Sequence, residues 1–206
     1  MKIGFIGGGH VAQVLAKLFI GKGHTVVLTN KHGLEKLKPT IERLGSQAQA
    51  GNLAEVVRQD VVVLAVPYKA VFEIESQLLQ GKDIIDATNY FPHRDGDIEE
   101  LREHQKATTE LVAQHFKGAN VVKAFNTIPV ADLARLATSK DNVKRVALPI
   151  AGNDAVLKDK VASLITEIGF TPYDVGSLAD SRKSQSDTPA FLFVGNKEEL
   201  SKKIGD

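Results

Sequence analysis

The amino-acid sequence predicts an α/β fold, in which helices cover both faces of a doubly wound parallel sheet. Short β-branched runs alternate with longer amphipathic stretches along the chain, as in repeated strand–helix units. The run at 61–66 is apolar without interruption, which is typical of a strand buried on both faces of a parallel sheet. A glycine-rich turn then joins the first predicted strand to the first predicted helix.

The first half of the chain contains the clearest patterns. Strands are predicted at 3–7, 25–29, 61–66 and 83–86, and helices at 10–22, 34–44 and 69–79. In the helix at 10–22, Val11, Leu15, Leu18 and Phe19 recur with the spacing of one helix face. The polar and charged stretch at 90–107 is predicted to be mostly loop.

The second half continues the alternation. A helix at 108–116 precedes strands at 120–124 and 146–151, a helix at 155–168 and a strand at 170–175. Residues 197–206 are predicted to form a short or frayed helix. Because no linker separates domains, residues 1–206 are expected to form a single domain. Its part from 145 to 206 is a small C-terminal α/β extension, a candidate lobe for substrate or dimer contacts.

The composition is that of an ordinary globular protein. Apolar residues make up 43% of the chain, charged residues 25%, and the formal net charge is +1, so no nucleic-acid or membrane partner is expected. The chain has no Cys, which excludes disulfides, thiol catalysis and Cys metal ligands. No signal segment is visible, and the longest apolar run is far below the ~20 residues that span a bilayer. We therefore expect a cytoplasmic protein.

The glycine-rich turn fits the pattern G-x-G-x-x-A over residues 7–12. Gly7 permits the tight turn out of the strand, Gly9 lets a pyrophosphate approach the backbone, and Ala12 allows close packing of helix and strand. Free N–H groups at the helix start would hold the phosphates. The turn follows a predicted strand and opens a helix, so it predicts a Rossmann-type dinucleotide site. The alternative is a tight turn without a ligand.

The end of the second predicted strand distinguishes NADP from NAD. An NAD site usually has Asp or Glu roughly 20 residues beyond the glycines, to bind the ribose hydroxyls. Here Thr29, Asn30, Lys31 and His32 stand in that region, and none is acidic. Their hydroxyl, amide and basic groups are suited to a 2′-phosphate, which favours NADP as the cofactor. The alternative is a basic turn exposed to solvent.

Three segments together resemble the deazaflavin (coenzyme F(420))-dependent NADP oxidoreductase family. These are the glycine-rich turn, the run Asp-Ala-Thr-Asn at 86–89, and the run Lys-Ala-Phe-Asn-Thr at 123–127, which is the most specific. The segment at 176–182 resembles a late segment of that family. The cytosolic reductase domains of membrane metalloreductases are also similar. The resemblance extends over roughly residues 1–181 of the chain.

The resemblance implies a set of cofactor-binding residues. Those for the pyrophosphate would be Gly7, Gly9, His10 and Val11, with His10 contributing through its backbone or its ring. Those for the adenosine phosphate would be Thr29, Asn30, Lys31 and His32. Those flanking the ribose and nicotinamide would be Val66, Pro67 and Asn89, although strand termination and an Asn-containing turn also explain them. Those near the nicotinamide and the second substrate would be Ala124, Phe125 and Asn126.

The resemblance weakens after Arg182, where residues 183–189 depart from the family pattern. That region is expected to build the acceptor pocket or a subunit contact, and a homodimer is compatible with it. The electron acceptor therefore stays open between a deazaflavin, a flavin and another small molecule. Hydride transfer depends mainly on positioning, so no catalytic acid or base is required, and neither a catalytic residue nor a metal ligand is predicted.

Two functions are compatible with these features. One is an NADP(H)-dependent oxidoreductase that transfers hydride between NADPH and a flavin-like or other small electron acceptor. The other is a non-catalytic NADP-binding redox sensor. The N-terminus also resembles pyrroline-5-carboxylate reductases and β-hydroxyacid dehydrogenases. Those families add a long all-helical C-terminal domain, whereas this chain ends in a mixed α/β pattern, so we expect neither.

Overall fold

The computed structural model describes residues 1–137 and 145–205 of the chain. The strands in this part of the chain are β1 (Lys2–Ile6), β2 (Thr25–Thr29), β3 (Ala48–Ala50), β4 (Val61–Leu64), β5 (Asp83–Asp86), β6 (Asn120–Lys123), β7 (Ala147–Gly152) and β8 (Thr171–Gly176). They form one eight-stranded sheet in the order β3-β2-β1-β4-β5-β6-β7-β8. The strand order reverses beside β1, as in a doubly wound Rossmann-type sheet, and confirms the predicted fold class.

The sheet is not parallel throughout, which corrects one part of the prediction. The first six strands pair in parallel, but β7 is antiparallel to β6, with Val122 opposite Gly152. β8 then pairs in parallel with β7, so the last two strands run opposite to the others. All six residues of β7 are buried. A strand covered on both faces has the same apolar sequence in either direction, so its direction could not be deduced from hydrophobicity.

Helices cover both faces of the sheet. The α-helices in the described residues are α1 (His10–Ile20), α2 (Lys38–Leu44), α3 (Leu53–Val56), α4 (Tyr68–Val71), α5 (Pro92–Asp95), α6 (Glu99–Arg102), α7 (Thr108–His115), α8 (Val130–Leu136), α9 (Ala155–Glu167) and α10 (Lys197–Ile204). Turns of 3₁₀-helix lie at Leu34–Leu37, Ser76–Leu79 and Ala179–Ser184. The sheet and helices place the carboxyl ends of β1, β2, β4, β5 and β6 along one edge.

Several helix boundaries differ from the predictions. The helix predicted at 34–44 is a 3₁₀ turn followed by α2, which has Pro39 in its first turn, a position that suits a residue without an N–H. The helix predicted at 69–79 is divided into α4 and a 3₁₀ turn. Val71 is buried in α4, and Leu79 is buried in the 3₁₀ turn. The region 90–107, predicted as loop, contains α5 and α6. Hydrophobic spacing does not distinguish these short turns from one continuous helix.

The C-terminal helix is α10, which begins with a capping box. Asn196 accepts a hydrogen bond from the Glu199 backbone N–H at 3.1 Å, and Glu199 accepts one from the Asn196 backbone N–H at 2.8 Å. These bonds satisfy backbone donors that a helix start leaves free. The short helix predicted at 197–206 is thus confirmed for residues 197–204. Asp206, the last residue of the predicted range, lies outside the described residues.

The hydrophobic core lies on both sides of the sheet. On one side, Phe5, Phe19 and Phe125 are buried together with the apolar faces of α1 and α9. On the other side, Tyr68 and Phe116 are buried with the apolar residues of β4 and β5. Burying these aromatic side chains fixes the helices on the sheet, since each contributes a large apolar area. The loops at the carboxyl edge are consequently held by a rigid scaffold.

Candidate cofactor site

The glycine-rich turn leaves open space where a dinucleotide site requires it. Gly7 has a φ of 119°, and a Cβ there would collide with the Ala65 carbonyl oxygen, so the turn itself needs glycine. Gly9 differs, because a Cβ built on it meets no atom within 4 Å. Its missing side chain leaves free volume at the start of α1. These residues therefore fit a pyrophosphate group, which must come close to the backbone at this point.

The start of α1 offers unoccupied backbone donors. Gly9 precedes the helix without a side-chain cap, and the first turn contains no acidic residue. The first N–H groups of an α-helix have no partner within the helix, and they carry its partial positive charge. His10 is exposed and Val11 half-buried, whereas Ala12 is fully buried against the sheet. The first turn thus presents its donors to solvent while Ala12 holds it to the strand.

The basic turn after β2 lies beside the glycine-rich turn. The Gly7 backbone N–H donates to the Thr29 carbonyl oxygen at 3.0 Å, which ties the two turns together. A Cβ on Gly8 would lie 3.6 Å from the Asn30 side chain, so Asn30 also borders the loop. Asn30 Oδ1 accepts a hydrogen bond from the His32 backbone N–H at 2.7 Å. Lys31 and His32 are exposed. The four residues predicted to bind the adenosine phosphate therefore lie in one turn next to the glycine-rich turn.

The segment after β4 borders the same loop. Ala65 and Val66 are half-buried, and Val66 Cγ1 would lie 3.1 Å from a Cβ on Gly7. Pro67 is exposed and precedes α4, where its fixed φ ends the strand. Val66 is thus brought against the glycine-rich turn, and Pro67 lies at its outer side.

Asn89 and Asn126 form a reciprocal pair between the loops after β5 and β6. Asn89 Nδ2 donates to the Asn126 carbonyl oxygen at 2.9 Å, and Asn126 Nδ2 lies 3.2 Å from Asn89 Oδ1. Asn126 Nδ2 also donates to the Ser184 carbonyl oxygen at 2.7 Å. Asn126 is only 4% exposed, and its Oδ1 is buried without a hydrogen-bond partner in the described structure. A buried acceptor without a partner is uncommon and points to a missing donor.

Ala124 and Phe125 shape the backbone before this pair. Phe125 has a φ of 64°, a left-handed conformation that costs free energy in a residue with a bulky side chain. Its ring is buried in edge-to-face contact with Phe19 of α1, with 6.0 Å between the ring centroids. Ala124 is fully buried. Core packing therefore holds the strained turn that directs Asn126 toward Asn89.

A buried ion pair lies beneath the asparagine pair. Lys123 Nζ lies 3.1 Å from Asp86 Oδ2. Asp86 also accepts hydrogen bonds from the hydroxyls of Thr88 at 2.6 Å and Thr109 at 2.8 Å. Burial lowers the pKa of the Lys123 ammonium, while the charge and hydrogen bond of Asp86 act in the opposite direction. The pairing of Asp86 with Lys123 was not predicted from the sequence.

A sequence signal for this pair did exist. Lys123 follows two buried valines at the end of β6, and it lies directly opposite Asp86 in the parallel register of β5 and β6. A lysine and an aspartate at the ends of two buried strands indicate mutual neutralisation, because an unpaired buried charge is costly. Recognising it required the strand pairing, which hydrophobic periodicity alone does not supply.

The segment that departs from the family pattern, residues 183–189, and the three residues after it cover the edge next to Asn89 and Asn126. Ser186 Oγ donates to the Tyr90 carbonyl oxygen at 2.6 Å, and the Leu192 N–H donates to the Thr127 carbonyl oxygen at 2.8 Å. Phe191 meets Phe91 with 6.0 Å between ring centroids. Residues 184–192 thus form one wall beside the asparagine pair.

Within residues 1–137 and 145–205, no group of three His, Asp or Glu side chains is arranged to hold a metal ion. In the same ranges, no helix has the length and apolar character needed to cross a membrane.

Curated relatives of the chain are metalloreductases. Metalloreductase STEAP3 of Rattus norvegicus is 30% identical over 187 residues, which is 90% of this chain and 36% of the relative. Metalloreductase STEAP2 of Homo sapiens is 24% identical over 197 residues, which is 93% of this chain and 36% of the relative. The chain therefore spans little more than a third of the length of these relatives.

Solved structures extend the comparison to whole chains. A hypothetical protein, SMa0349 of Sinorhizobium meliloti, is 31% identical, with 94% of both chains covered and a TM-score of 0.83. A candidate F420-dependent NADP reductase of Arthrobacter sp. FB24 shares the fold, with 21% identity, a TM-score of 0.75 and coverage of 88% of this chain and 87% of the other. Residues 2–90, which contain the glycine-rich turn and the basic turn, match the family model described as NADP oxidoreductase coenzyme F420-dependent. By this match, the nucleotide-binding part of the chain, residues 2–90, belongs to the coenzyme F420-dependent family of NADP oxidoreductases, and the hypothetical protein aligns with the chain along nearly its whole length.

Proposed function

We propose that this chain binds NADP(H) along the carboxyl edge of β1, β2, β4, β5 and β6. There it transfers hydride between the nicotinamide and a flavin-like or other small electron acceptor. The family supplies the cofactor and the reaction class, and the proposal concerns the binding residues and the acceptor. The observation that carries it is the open volume at Gly9, which precedes the uncapped start of α1 in a loop that borders Asn30 of the basic turn.

The pyrophosphate is assigned to Gly7, Gly9, His10 and Val11. Backbone N–H groups at the start of α1 would donate to its oxygens, and the helix dipole favours its negative charge. The exposed position of His10 leaves its ring free to approach the same group. The fit is supported by the free volume at Gly9 and by the absence of a side-chain cap on α1.

The 2′-phosphate is assigned to Thr29, Asn30, Lys31 and His32. Lys31 and His32 are exposed, and Asn30 borders Gly8, so the cationic groups lie next to the phosphate-binding loop. The strand ends in Thr29 rather than in an acid that would repel the phosphate. This arrangement supports NADP over NAD.

The nicotinamide end is assigned to Val66, Pro67, Asn89, Ala124, Phe125 and Asn126. The unpartnered Oδ1 of Asn126 is an acceptor suited to a carboxamide N–H. Asn89 holds the Asn126 side chain in place, and the Lys123–Asp86 pair supports the backbone of both. The wall formed by residues 184–192 is where the acceptor is expected to lie against the ring.

The chemistry requires positioning more than acid or base catalysis. Bound NADP(H) supplies or takes up the hydride, and the residues of the chain orient the reacting ring and exclude water. Holding two rings in productive contact removes most of the entropic cost of bringing them together. Asn89 and Asn126 are held by three hydrogen bonds, so their side chains are suited to orienting the nicotinamide ring.

Calorimetric titration with NADPH and NADH is the first test. Preferential binding of NADPH would support the assignment of the basic turn, whereas binding of neither cofactor would contradict the proposal. Steady-state NADPH oxidation with flavins, a deazaflavin, quinones and ferric chelates then tests the acceptor. Tight NADPH binding without turnover of any acceptor would favour a redox sensor instead.

The proposal includes the organisation of the chain. Residues 1–206 are proposed to act as a single NADP-binding unit, because β7 and β8 extend the same sheet. The active protein is proposed to be a homodimer in the cytoplasm. Leu192 and Val194 are 51% and 42% exposed beside the site, and a second subunit would cover them. Sedimentation velocity would test the dimer, and a monomer at micromolar concentration would contradict it.

A further inference from the structure

Arg43 of α2 reaches the glycine-rich turn through the side chain of Gln13 in α1. Its Nη2 lies 2.7 Å from Gln13 Oε1 and 3.5 Å from Thr40 Oγ1. Gln13 Nε2 in turn donates to the Gly8 carbonyl oxygen at 2.8 Å. The guanidinium is therefore separated from the phosphate-binding loop by one glutamine side chain. A Cβ on Gly8 would also lie 3.6 Å from Asn30, so Arg43 and Asn30 border the same loop.

The charge of Arg43 is held there without being neutralised. Its partners Gln13 and Thr40 are both neutral, and Arg43 forms no ion pair with any residue in 1–137 or 145–205. Its Nε and Nη1 groups have no hydrogen-bond partner within the same ranges. The side chain is exposed, so these donors are available to a ligand. A guanidinium fixed at one nitrogen and free at the others can bind a phosphate through two parallel hydrogen bonds.

The surrounding side chains make an anionic ligand the best match. Lys31, His32 and Lys36 are exposed in the segment between β2 and α2, which follows Asn30 at the border of the loop. The acidic residues of the same stretch, Glu35 and Glu42, are exposed and bonded neither to Arg43 nor to Gln13. A doubly charged phosphate at the loop would therefore be attracted both by the basic turn and by Arg43.

We propose that Arg43 is a specificity-determining residue that binds the 2′-phosphate of NADP(H), and that Gln13 positions its guanidinium against the glycine-rich turn. This inference rests on the proposed function and extends it to α2, outside the residues that the family motif supplies. An arginine close to the ribose is the usual means by which a Rossmann-type site accepts a 2′-phosphate. Since only NADP(H) carries that group, Arg43 discriminates between the two nicotinamide cofactors.

The test is calorimetric titration of wild type and Arg43→Ala with NADPH, NADH, adenosine 2′,5′-bisphosphate and ADP. The variant is expected to bind NADPH and the bisphosphate about tenfold more weakly, with less than about a twofold change for NADH and ADP. The NADPH affinity of Arg43→Lys should lie between those of wild type and Arg43→Ala, because lysine keeps the charge but cannot form the bidentate hydrogen bonds of a guanidinium. Gln13→Ala should weaken NADPH in the same selective way but by less, because the guanidinium is then free to move.

Arg58→Ala is the matched control, since Arg58 is also exposed but lies before β4, at the opposite end of the strands. It should bind both cofactors as wild type does. The NADPH affinity of wild type should also depend more steeply on salt than that of Arg43→Ala, because one phosphate contact is lost. Thermal unfolding of each variant confirms that the fold is retained.

Other results would overturn the inference. Equal weakening of NADPH and NADH by Arg43→Ala would mean that Arg43 braces the loop or contacts the shared adenosine. Unchanged affinity for NADPH would mean that the guanidinium lies outside the site. Both results leave the proposed function standing, provided that wild type prefers NADPH. The titration of wild type comes first. If wild type binds neither NADPH nor NADH, the proposed function is overturned together with this inference.

Discussion

Lys123 Nζ and Asp86 Oδ2 lie 3.1 Å apart at the carboxyl ends of adjacent strands, with side chains that are 1% and 0% exposed. The two residues face each other in the register of β5 and β6. Lys123 also donates to the Thr88 carbonyl oxygen, so the pair fixes the backbone just before Asn89. Two opposite charges thus lie below the asparagine pair, fully removed from water.

The first prediction concerns this ion pair. Lys123→Met should lower the free energy of unfolding by about 3–5 kcal/mol, because it leaves the Asp86 carboxylate buried without a counter-charge. Urea unfolding measures the loss. Lys117→Met, at an exposed lysine, is the control and should change stability by less than about 0.5 kcal/mol.

The double variant Lys123→Met with Asp86→Asn tests the cause. Removing both charges should recover part of the stability, since the penalty of Lys123→Met comes from the remaining carboxylate. If the double variant is as unstable as the sum of the two single variants, the charges are energetically independent and the explanation is wrong.

The second prediction compares two glycines of the same turn. Gly9→Ala should fold with nearly wild-type stability, because its Cβ enters open space, but it should lose affinity for NADPH and NADH alike. Gly7→Ala should be strongly destabilised, because its Cβ collides with the Ala65 carbonyl oxygen and its φ of 119° is strained in alanine. Thermal unfolding and calorimetry separate the two effects. Wild-type cofactor binding by Gly9→Ala would contradict the assignment of the pyrophosphate.

The third prediction concerns the basic turn after β2. Changing Lys31 and His32 together to Ala should weaken NADPH binding more than NADH binding. Each charge-assisted hydrogen bond is worth about 1.5–3 kcal/mol, and exposure at this turn favours the lower end. Calorimetry at two salt concentrations gives the measurement, with Lys22→Ala at an exposed residue after α1 as the control. Equal weakening of both cofactors would mean that the phosphate lies elsewhere.

The fourth prediction concerns Asn126. Asn126→Ala should reduce NADPH oxidation by about ten- to a hundredfold, because a small error in ring position is costly in hydride transfer. NADPH affinity should fall much less, since the phosphates supply most of it. Stopped-flow kinetics with the best acceptor of wild type separates the two. Asn120→Ala, at the exposed start of β6, should leave the rate unchanged. An unchanged rate for Asn126→Ala would exclude its proposed role.

The predictions of secondary structure that the structure confirms rest on local sequence patterns. The strand-to-helix turn at 7–12 was recognisable because its spacing of small residues is a local pattern, and Gly7 is required there by its φ of 119° and its contact with Ala65. The predicted strands match β1, β2 and β4–β8 to within one or two residues, because buried strands have continuous apolar runs. β3 was missed, since three residues are too few to show a period.

Contacts between distant segments could not be predicted in the same way. The pairing of Asn89 with Asn126, and of Asn126 with Ser184, depends on how two loops and the C-terminal segment meet. Arg43 reaches Gln13 only because α2 lies against α1, and no local pattern records that contact. The antiparallel direction of β7 likewise appears only in its pairing with β6, because the apolar residues of a buried strand do not record its direction.

The last prediction follows from Asp95, whose carboxylate holds the turn after Asn89. It accepts hydrogen bonds from Arg94 Nη2 at 2.8 Å and from the backbone N–H groups of Phe91 at 2.9 Å and Lys69 at 3.2 Å. Burial by itself raises the pKa of this carboxyl, but the bonds from Arg94, Phe91 and Lys69 outweigh it and hold the pKa below its ordinary value. The Asp95 side chain is only 1% exposed.

A folded-state pKa below the unfolded value means that the unfolded chain binds the proton more readily. The stabilisation by Asp95 is therefore complete above about pH 4, near the unfolded pKa, and is lost as the pH falls through the folded pKa. Urea unfolding from about pH 7 to about pH 3 should show a smaller loss of stability in Asp95→Asn than in wild type. The variant should be less stable at neutral pH, because the bonds to the charged carboxylate are weakened.

Asp159→Asn serves as the control, since Asp159 is exposed on α9. It should reproduce the wild-type loss of stability with falling pH. If Asp95→Asn also loses stability as steeply as wild type does, the acid sensitivity arises from other carboxylates. In that case Asp95 would hold the 91–96 turn only through bonds that its amide analogue can also form, and the hydrogen bonds to its charged form would carry no net stabilisation.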